Sequence, residues 1–181
     1  MGKKDLKPAG VFKYFEEICQ VPRPSKKEEK MIAYLKAFGA KHNLETKVDE
    51  AGNVLIKKPA TPGKENLQTV VLQSHIDMVC EKNNDVQHDF LTDPIETEID
   101  GEWLKAKGTT LGADNGIGVA TELAILADDS IEHGPLECLF TVDEETGLTG
   151  AFALKEGFMS GDILLNLDSE DEGEIFIGCA G

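Results

Sequence analysis

Three apolar runs of the sequence are each followed at once by side chains that can bind a metal ion. The runs occupy residues 67–74, 136–142 and 162–167. The side chains that follow them are His75, Asp77, Asp143, Glu144, Glu145 and Asp168. The three adjacent carboxylates at 143–145 repel one another, and leaving water costs each of them several kcal/mol unless a positive charge compensates. The pattern therefore indicates a cation beyond the ends of these runs.

The chemistry of these side chains suits a pair of divalent cations. The imidazole of His75 can bind a metal through one nitrogen, and Asp77 can hold the other N–H, or a neighbouring ligand, in place. Asp114 lies in a glycine-rich loop and joins Glu145 and Asp168 as a candidate carboxylate ligand. One of these carboxylates can bridge two cations.

Glu144 is the additional carboxylate of this set, and a base is the role that it fits. If Glu145 is a ligand, Glu144 is free to take a proton from water whose pKa the metal lowers. Each motif alone has an ordinary structural interpretation, since HxD, DEE and ADNG also occur at buried histidines, solvated strand ends and turns. Their joint occurrence at three strand ends favours the metal site.

A calcium loop is the rival interpretation of residues 168–175. This segment has acids at positions one, three and five of an EF-hand loop and Gly173 at position six. The twelfth position is Cys179, where the loop needs a bidentate Glu. The predicted flanks are strands rather than helices, which disfavours calcium.

Alternating strands and helices must position these residues. Apolar spacing predicts helices over 9–20, from 25 to about 41–43, over 117–127 and over 146–157. Strands are predicted at 45–49, 53–58, 67–75, 136–142, 162–168 and 174–178, with a further hairpin at 99–106. Ser25 and Glu28 are expected to form a capping box at the second helix. The order is typical of an α/β fold with a mixed, largely parallel sheet flanked by helices, whose strand ends meet at one edge.

The composition excludes several classes of partner. Acids outnumber bases 34 to 18 among the 181 residues, and the formal net charge of −16 disfavours nucleic acid and anionic membranes. No apolar run approaches the ~20 residues of a spanning helix, and residues 1–10 lack the apolar segment of a secretory signal. A soluble cytoplasmic protein is therefore expected. Its four cysteines form no CxxC pair, so reduced thiols are expected, with Cys138 and Cys179 packed as small hydrophobes.

Five motifs, in order along nearly the whole chain, resemble one family. They are SHIDMVCEKN (74–83), HDFLTDPI (88–95), GTTLGADNGIGVA (108–120), DEETGLTGA (143–151) and NLDSEDEGE (166–174). Together they are similar to the aminoacyl-histidine (Xaa-His) dipeptidases, cytosolic zinc peptidases of the M20 metallopeptidase clan. The resemblance implies an α/β catalytic domain with two Zn²⁺ ions, for which Co²⁺ or Mn²⁺ can substitute. It also implies an inserted lid domain that helps to close the site and mediates homodimerisation.

The resemblance implies a place for each metal ligand. His75 and Asp168 would bind one zinc ion, and Glu145 would bind the other. Asp114 would bridge the two ions, with a cis peptide bond to Asn115. In the family, the second ion also takes a histidine from near the C-terminus, and none of the other three histidines of this chain lies in a matching motif.

The resemblance implies dipeptide hydrolysis with Glu144 as the general base and Asp77 as the catalytic-site residue that supports the site near His75. Because family members are much longer, residues 1–181 are expected to be the amino-terminal part of the catalytic domain. The lid domain and the C-terminal half would then lie outside these residues, and the chain alone is expected to be inactive.

Two other functions fit part of the same pattern. Other M20 reactions, such as tripeptide aminopeptidase action or deacylation, share the core ligands, and only the CEKN and HDF stretches favour dipeptides. A non-catalytic metal-binding module would have the ligands as well. The intact Glu144 favours an enzyme over such a module, since a structural site needs no unliganded base.

Overall fold

The computed structural model describes residue 2, residues 5–169 and residues 173–178. The helices in this part of the chain are α1 (Ala9–Cys19), α2 (Glu29–Lys41), α3 (Ala113–Ala127) and α4 (Thr149–Ala153). The strands are β1 (Glu45–Val48), β2 (Val54–Lys58), β3 (Val70–His75), β4 (Thr97–Asp100), β5 (Trp103–Ala106), β6 (Leu136–Thr141) and β7 (Ile163–Asn166). A five-stranded sheet has the order β1-β2-β6-β3-β7, and β4 and β5 form a separate pair. The predicted α/β class, with a mixed sheet flanked by helices, is confirmed.

The main sheet is parallel where the candidate site residues leave it. β3 runs parallel to both β6 and β7, whereas β2 runs antiparallel to β1 and β6. β3 ends at His75, β6 at Thr141 and β7 at Asn166. The residues that follow these three strands therefore share one edge of the sheet, as the predicted topology requires.

The main core lies between the helices and one face of this sheet. α1 buries Phe15 and Ile18, and α3 buries Leu123 and Leu126 against it. Full burial of each such side chain contributes ~1.5–3 kcal/mol. The apolar residues whose spacing predicts α1 and α3 are thus the ones that pack in the core. Their packing holds α3, and the loop before it, against the sheet.

The second helix begins later than predicted, because tertiary contacts take its expected capping residues. α2 begins at Glu29 and has no side-chain cap. The hydroxyl of Ser25 donates instead to Asp77 Oδ2 at 2.7 Å. The carboxylate of Glu28 accepts hydrogen bonds from the Lys26 amide at 2.9 Å and from the distant Asp143 amide at 3.0 Å. The predicted capping box was wrong.

Two predicted elements near the end of the chain are shorter or absent. α4 covers Thr149–Ala153 only, because Gly147 and Leu148 have positive φ angles of 156° and 57°, outside the helical region. Residues 174–178 form no strand and pair with none of the described strands. The predicted strand was wrong because an extended segment needs a neighbour to satisfy its backbone groups.

None of the helices in the described residues combines the length and the apolar character of a bilayer crossing. Within the same part of the chain, Cys19, Cys80 and Cys138 form no disulfide bond, and Cys19 and Cys138 are buried whereas Cys80 is half-buried. Burial raises the pKa of the Cys138 thiol well above its usual range, so this thiol behaves as the small hydrophobe expected. Cys179 lies outside the described residues.

Candidate metal centre

The imidazole of His75 lies among carboxylates at the edge of the sheet. Its Nε2 atom is 3.1 Å from Asp114 Oδ1 and 3.9 Å from both Glu144 Oε2 and Asp168 Oδ2. The His75 side chain is only 1% exposed, whereas that of Asp114 is 61% exposed. The cluster is therefore anchored in the sheet and open to solvent on the Asp114 side.

Two overlapping groups of side chains have the spacing of a metal site. One ligand atom from each member lies within 4.8 Å of the others in the group. The first group is His75, Asp114 and Glu145, and the second is His75, Glu144 and Asp168. The structure thus brings the four sequence-predicted ligands together. It places Asp168 with Glu144, however, rather than with Asp114.

The donor atoms and charges of these groups fit a divalent cation. Imidazole nitrogen and carboxylate oxygen are the usual non-sulfur ligands of zinc in proteins. Burial and the surrounding carboxylates raise the pKa of Glu144 and Glu145, against the opposing effect of His75. Burial lowers the pKa of His75, but the contact with Asp77 and the other carboxylates outweighs it and raises that pKa to about 9. Negative charge is concentrated where a cation would offset it.

Asp77 is fully buried and supports the cluster from behind. Its Oδ1 atom lies 3.3 Å from His75 Nδ1 and accepts a hydrogen bond from the Glu144 amide at 3.0 Å. Its Oδ2 atom accepts from the Glu145 amide at 3.2 Å and from the Ser25 hydroxyl. Burial raises the pKa of Asp77, but these contacts outweigh it and lower that pKa to about 2. Asp77 is thus an ionised carboxylate that orients the imidazole and the 143–145 turn.

A second buried carboxylate, Glu28, holds the first residue of this turn. Glu28 Oε1 accepts a hydrogen bond from the Asp143 amide at 3.0 Å, and Glu28 is only 6% exposed. The Asp143 carboxylate in turn accepts hydrogen bonds from the hydroxyls of Thr146 and Thr149. No local pattern indicates the contact of Glu28, because 115 residues separate it from Asp143.

Buried Arg23 ties the loop that precedes α3 to the end of β3. The Nη1 atom of its guanidinium donates hydrogen bonds to the carbonyl oxygens of Ile76 and Asp77, at 3.1 and 3.0 Å. The Nη2 atom donates a hydrogen bond to the carbonyl oxygen of Gly112. Gly112 has a φ of +68°, and a Cβ there would collide with the Arg23 guanidinium. The sequence reading missed Arg23, whose only local signal is the VPRP segment around it.

Asn115, in the first turn of α3 where the backbone is not yet helical, connects the start of this helix to the end of β7. Its Nδ2 atom donates to Asp168 Oδ1 at 2.9 Å and to the carbonyl oxygen of Leu167 at 3.0 Å. The peptide bond between Asp114 and Asn115 is cis, as the resemblance implies. The loop before α3 and the first turn of this helix are therefore attached to the ends of β3 and β7, and Asp114 lies between the two attachment points.

The calcium interpretation of residues 168–175 stays a prediction, because residues 170–172 lie outside the described residues. Asp168, its first position, lies in the group around His75. Described residues 173–178 form no helix, whereas an EF-hand loop has a helix on either side.

Comparisons with known sequences agree with this geometry. Peptidase family M20/M25/M40 matches residues 71–178, a range that includes every candidate site residue from His75 to Asp168. The cytosol non-specific dipeptidase of Escherichia coli (strain K12) is 53% identical over 176 residues, which cover 97% of this chain and 36% of that protein.

Solved structures show the same relationship. The crystal structure of aminoacylhistidine dipeptidase from Vibrio alginolyticus matches with a TM-score of 0.96 and 55% identity, covering 99% of this chain and 36% of that one. Aminopeptidase PepT from Bacillus cereus ATCC 10987 matches with a TM-score of 0.76 and 26% identity, covering 90% and 43% respectively. The chain therefore spans well under half the length of each of these relatives. With a family match over residues 71–178 that contains the whole carboxylate cluster, the chain belongs to Peptidase family M20/M25/M40.

Proposed function

We propose that the chain is the amino-terminal part of the catalytic domain of a metal-dependent dipeptidase that hydrolyses Xaa-His-type dipeptides with broad specificity. The observation that carries this proposal is the carboxylate of Glu144, 3.9 Å from His75 Nε2. It is one carboxylate more than the predicted ligands require, and peptide hydrolysis needs such a group as a base. Two relatives of over 50% identity, one a non-specific and one an aminoacylhistidine dipeptidase, support the substrate class.

Two Zn²⁺ ions, or Co²⁺ or Mn²⁺ in their place, are the proposed cofactors. The residues that would hold them are His75, Asp114, Glu145 and Asp168, which belong to the two overlapping groups that share His75. Asp114 is the proposed bridging ligand, as the resemblance to the aminoacyl-histidine dipeptidases implies. When bound, the ions polarise the scissile carbonyl and lower the pKa of water at the site.

Glu144 moves the proton in the proposed reaction. Its carboxylate takes a proton from water as the water oxygen adds to the carbonyl carbon of the peptide bond. It then gives this proton to the departing nitrogen as the C–N bond breaks, so that one product gains a carboxylate and the other an amine. Asp77 holds the backbone amides of Glu144 and Glu145 during both steps, at 3.0 and 3.2 Å.

The remaining parts of the active protein are proposed to lie outside the 181 residues. The chain covers 36% of each of the two dipeptidase relatives, which leaves room for a lid domain, a homodimer contact and a further histidine ligand. A cytoplasmic location is proposed from the cytosolic relative. Dipeptides are the proposed partners, and nucleic acid and membranes are not.

Assays of the full-length protein test this function. Xaa-His dipeptides, other dipeptides, tripeptides and N-acyl amino acids are compared at equal zinc loading, with Glu144→Gln as the matched inactive control. We expect the highest kcat/KM on dipeptides, loss of activity on chelation and recovery with Zn²⁺.

The likeness to an aminopeptidase at 26% identity makes tripeptide cleavage the second candidate. Faster cleavage of tripeptides or acyl amino acids would replace the dipeptidase assignment, and bound zinc without any hydrolysis would indicate a non-catalytic module.

A further inference from the structure

Three consecutive backbone amides at 143–145 point to the buried side of the site, where two carboxylates accept them. Asp77 accepts the amides of Glu144 and Glu145, and Glu28 accepts the amide of Asp143 at 3.0 Å. Asp143 has a φ of +49°, a region that a residue with a side chain adopts only where its surroundings impose it. The bonds to the two carboxylates are the contacts that impose it.

The segment 25–28, just before α2, contains one of the two carboxylates that accept the turn amides and contacts the other. Ser25 donates its hydroxyl to Asp77, and the amide of Lys26 donates to Glu28 Oε1 at 2.9 Å. The Oε1 atom of Glu28 therefore accepts one hydrogen bond from its own segment and one from Asp143. Glu28 is 6% exposed, and removing a buried acceptor leaves the Asp143 amide without the hydrogen bond that the fold supplies.

We propose that Glu28 is a positioning residue for the Glu144 carboxylate, an inference that rests on the proposed function. Glu28 acts through the amide of Asp143, the residue directly before Glu144, and so fixes the direction in which Glu144 leaves the turn. Only an acceptor oxygen is needed for this role. Burial raises the pKa of Glu28, which is consistent with an oxygen that need not be charged.

Hydrogen bonds, rather than a cation, satisfy the buried carboxylates around Glu28. Glu28, Asp77 and Asp143 have oxygens within 4.8 Å of one another, a spacing that an ion could bridge. Each of the three, however, already accepts hydrogen bonds from amides or hydroxyls. The cluster is thus a set of anchors for the turn.

The test compares Glu28→Ala, Glu28→Gln and the neighbouring exposed Glu29→Ala in the full-length protein. We expect Glu28→Ala to lower kcat about 10–100-fold, with KM and bound zinc unchanged and with a shifted acid limb of the kcat–pH profile. Glu28→Gln retains an acceptor oxygen and should restore kcat, while Glu29→Ala should match the wild type. Wild-type kcat in Glu28→Ala, or an equal loss in Glu28→Gln, would overturn the proposal.

Amide hydrogen exchange supplies a readout that needs no substrate. In Glu28→Ala, residues 143–145 should exchange faster than in the wild type and in Glu28→Gln, and α1 should be unaffected. Unchanged exchange at 143–145 overturns the proposal, whatever the activity. Faster exchange in a protein whose wild type cleaves no peptide would instead contradict only the proposed function. If Glu28→Ala does not fold, Glu28→Asp, one methylene shorter, replaces it.

Discussion

Glu144 and Glu145 are adjacent, yet we expect the same substitution to separate catalysis from metal binding. Glu144→Gln keeps the outline of the side chain but cannot accept the water proton, so kcat should fall by ~10²–10⁴-fold with zinc retained. Glu145→Gln replaces an anionic ligand by a neutral amide and should release zinc. Bound zinc and kcat are measured for both variants of the full-length protein. Zinc loss in Glu144→Gln, with zinc and activity kept in Glu145→Gln, would show that the two roles are reversed.

Glu122 is a buried carboxyl of α3, and we expect it to make stability depend on pH. Its side chain is 0% exposed. Burial raises the pKa of Glu122 well above its usual range, against the lowering effect of Ser74 and Cys138 beside it. The folded state therefore binds a proton that the unfolded state releases above a pH of about 4.3. Stability should fall by up to about 1.4 kcal/mol per pH unit from there until the pH passes the folded pKa.

Glu122→Gln removes this titration, so its stability relative to the wild type should rise between pH 5 and pH 8. Urea unfolding at both pH values measures the difference, and the exposed Glu98→Gln serves as the control. Parallel pH dependence of the wild type and Glu122→Gln would mean that the carboxyl is ionised in the fold.

At the scale of single residues, the positions of the candidate ligands and of Asp77 could be predicted from the sequence, whereas Arg23 and Glu28 could not. His75, Glu145 and Asp168 directly follow apolar strands, a position that is visible in the sequence. Arg23 and Glu28 act on backbone atoms 53 and 115 residues away. A charged residue near a helix start is usually solvated, and only the tertiary structure distinguishes these two from the surface charges around them.

At the scale of elements, α4 is tied closely to the end of β6, and we expect its second residue to tolerate no side chain. The amide of Gly150 donates to the carbonyl oxygen of Val142 at 3.0 Å, and Asn53 donates to the Gly150 carbonyl oxygen. A Cβ at Gly150 would lie 2.7 Å from the Val142 nitrogen and closer still to its oxygen. Gly150→Ala should therefore destabilise the fold by ~1–3 kcal/mol, as overpacking does.

Gly10→Ala is the matched control for this prediction. A Cβ at Gly10 would make an ordinary contact of 3.5 Å with Ala124 Cβ, and alanine favours α1 by up to ~1 kcal/mol. Thermal and urea unfolding should thus show opposite signs for the two substitutions. A neutral Gly150→Ala would mean that α4 is free to move away from β6.

The elements themselves could be predicted where apolar periodicity is long, as in α1, α3, β3 and β6. The errors occur where a distant partner decides the outcome. Ser25 has the type and spacing of an N-cap, but its hydroxyl bonds to Asp77, 52 residues away. Residues 174–178 have the composition of a strand, but none of the described strands pairs with them.

At the scale of the whole chain, both candidate metal groups depend on one histidine. His75 is a member of each group, and its Nδ1 atom faces Asp77 at 3.3 Å, which leaves Nε2 as its metal-binding nitrogen. One nitrogen lone pair binds one ion at a time, and catalytic zinc usually has three protein ligands. We expect the 181-residue chain to bind at most one Zn²⁺ tightly, with a second held weakly by carboxylates. Calorimetric titration measures the stoichiometry, and His75→Ala should abolish the tight step while His88→Ala leaves it. Two tight steps would require a further ligand within the chain.

The sheet order β1-β2-β6-β3-β7 also determines when each strand can pair while the chain is being synthesised. Both neighbours of β3 follow it in the chain, and Asp77 accepts the amide of Glu145, 68 residues later. At about 5–20 residues per second, a ribosome takes about 3–14 s to cover that interval. During this time β3 lacks both of its partner strands, β6 and β7, and its unpaired edges can pair with strands of other nascent chains. Capture of a metal ion by the full set of proposed ligands cannot precede the emergence of Asp168. A chain that stalls before β6 leaves Asp77 without the turn whose amides it accepts.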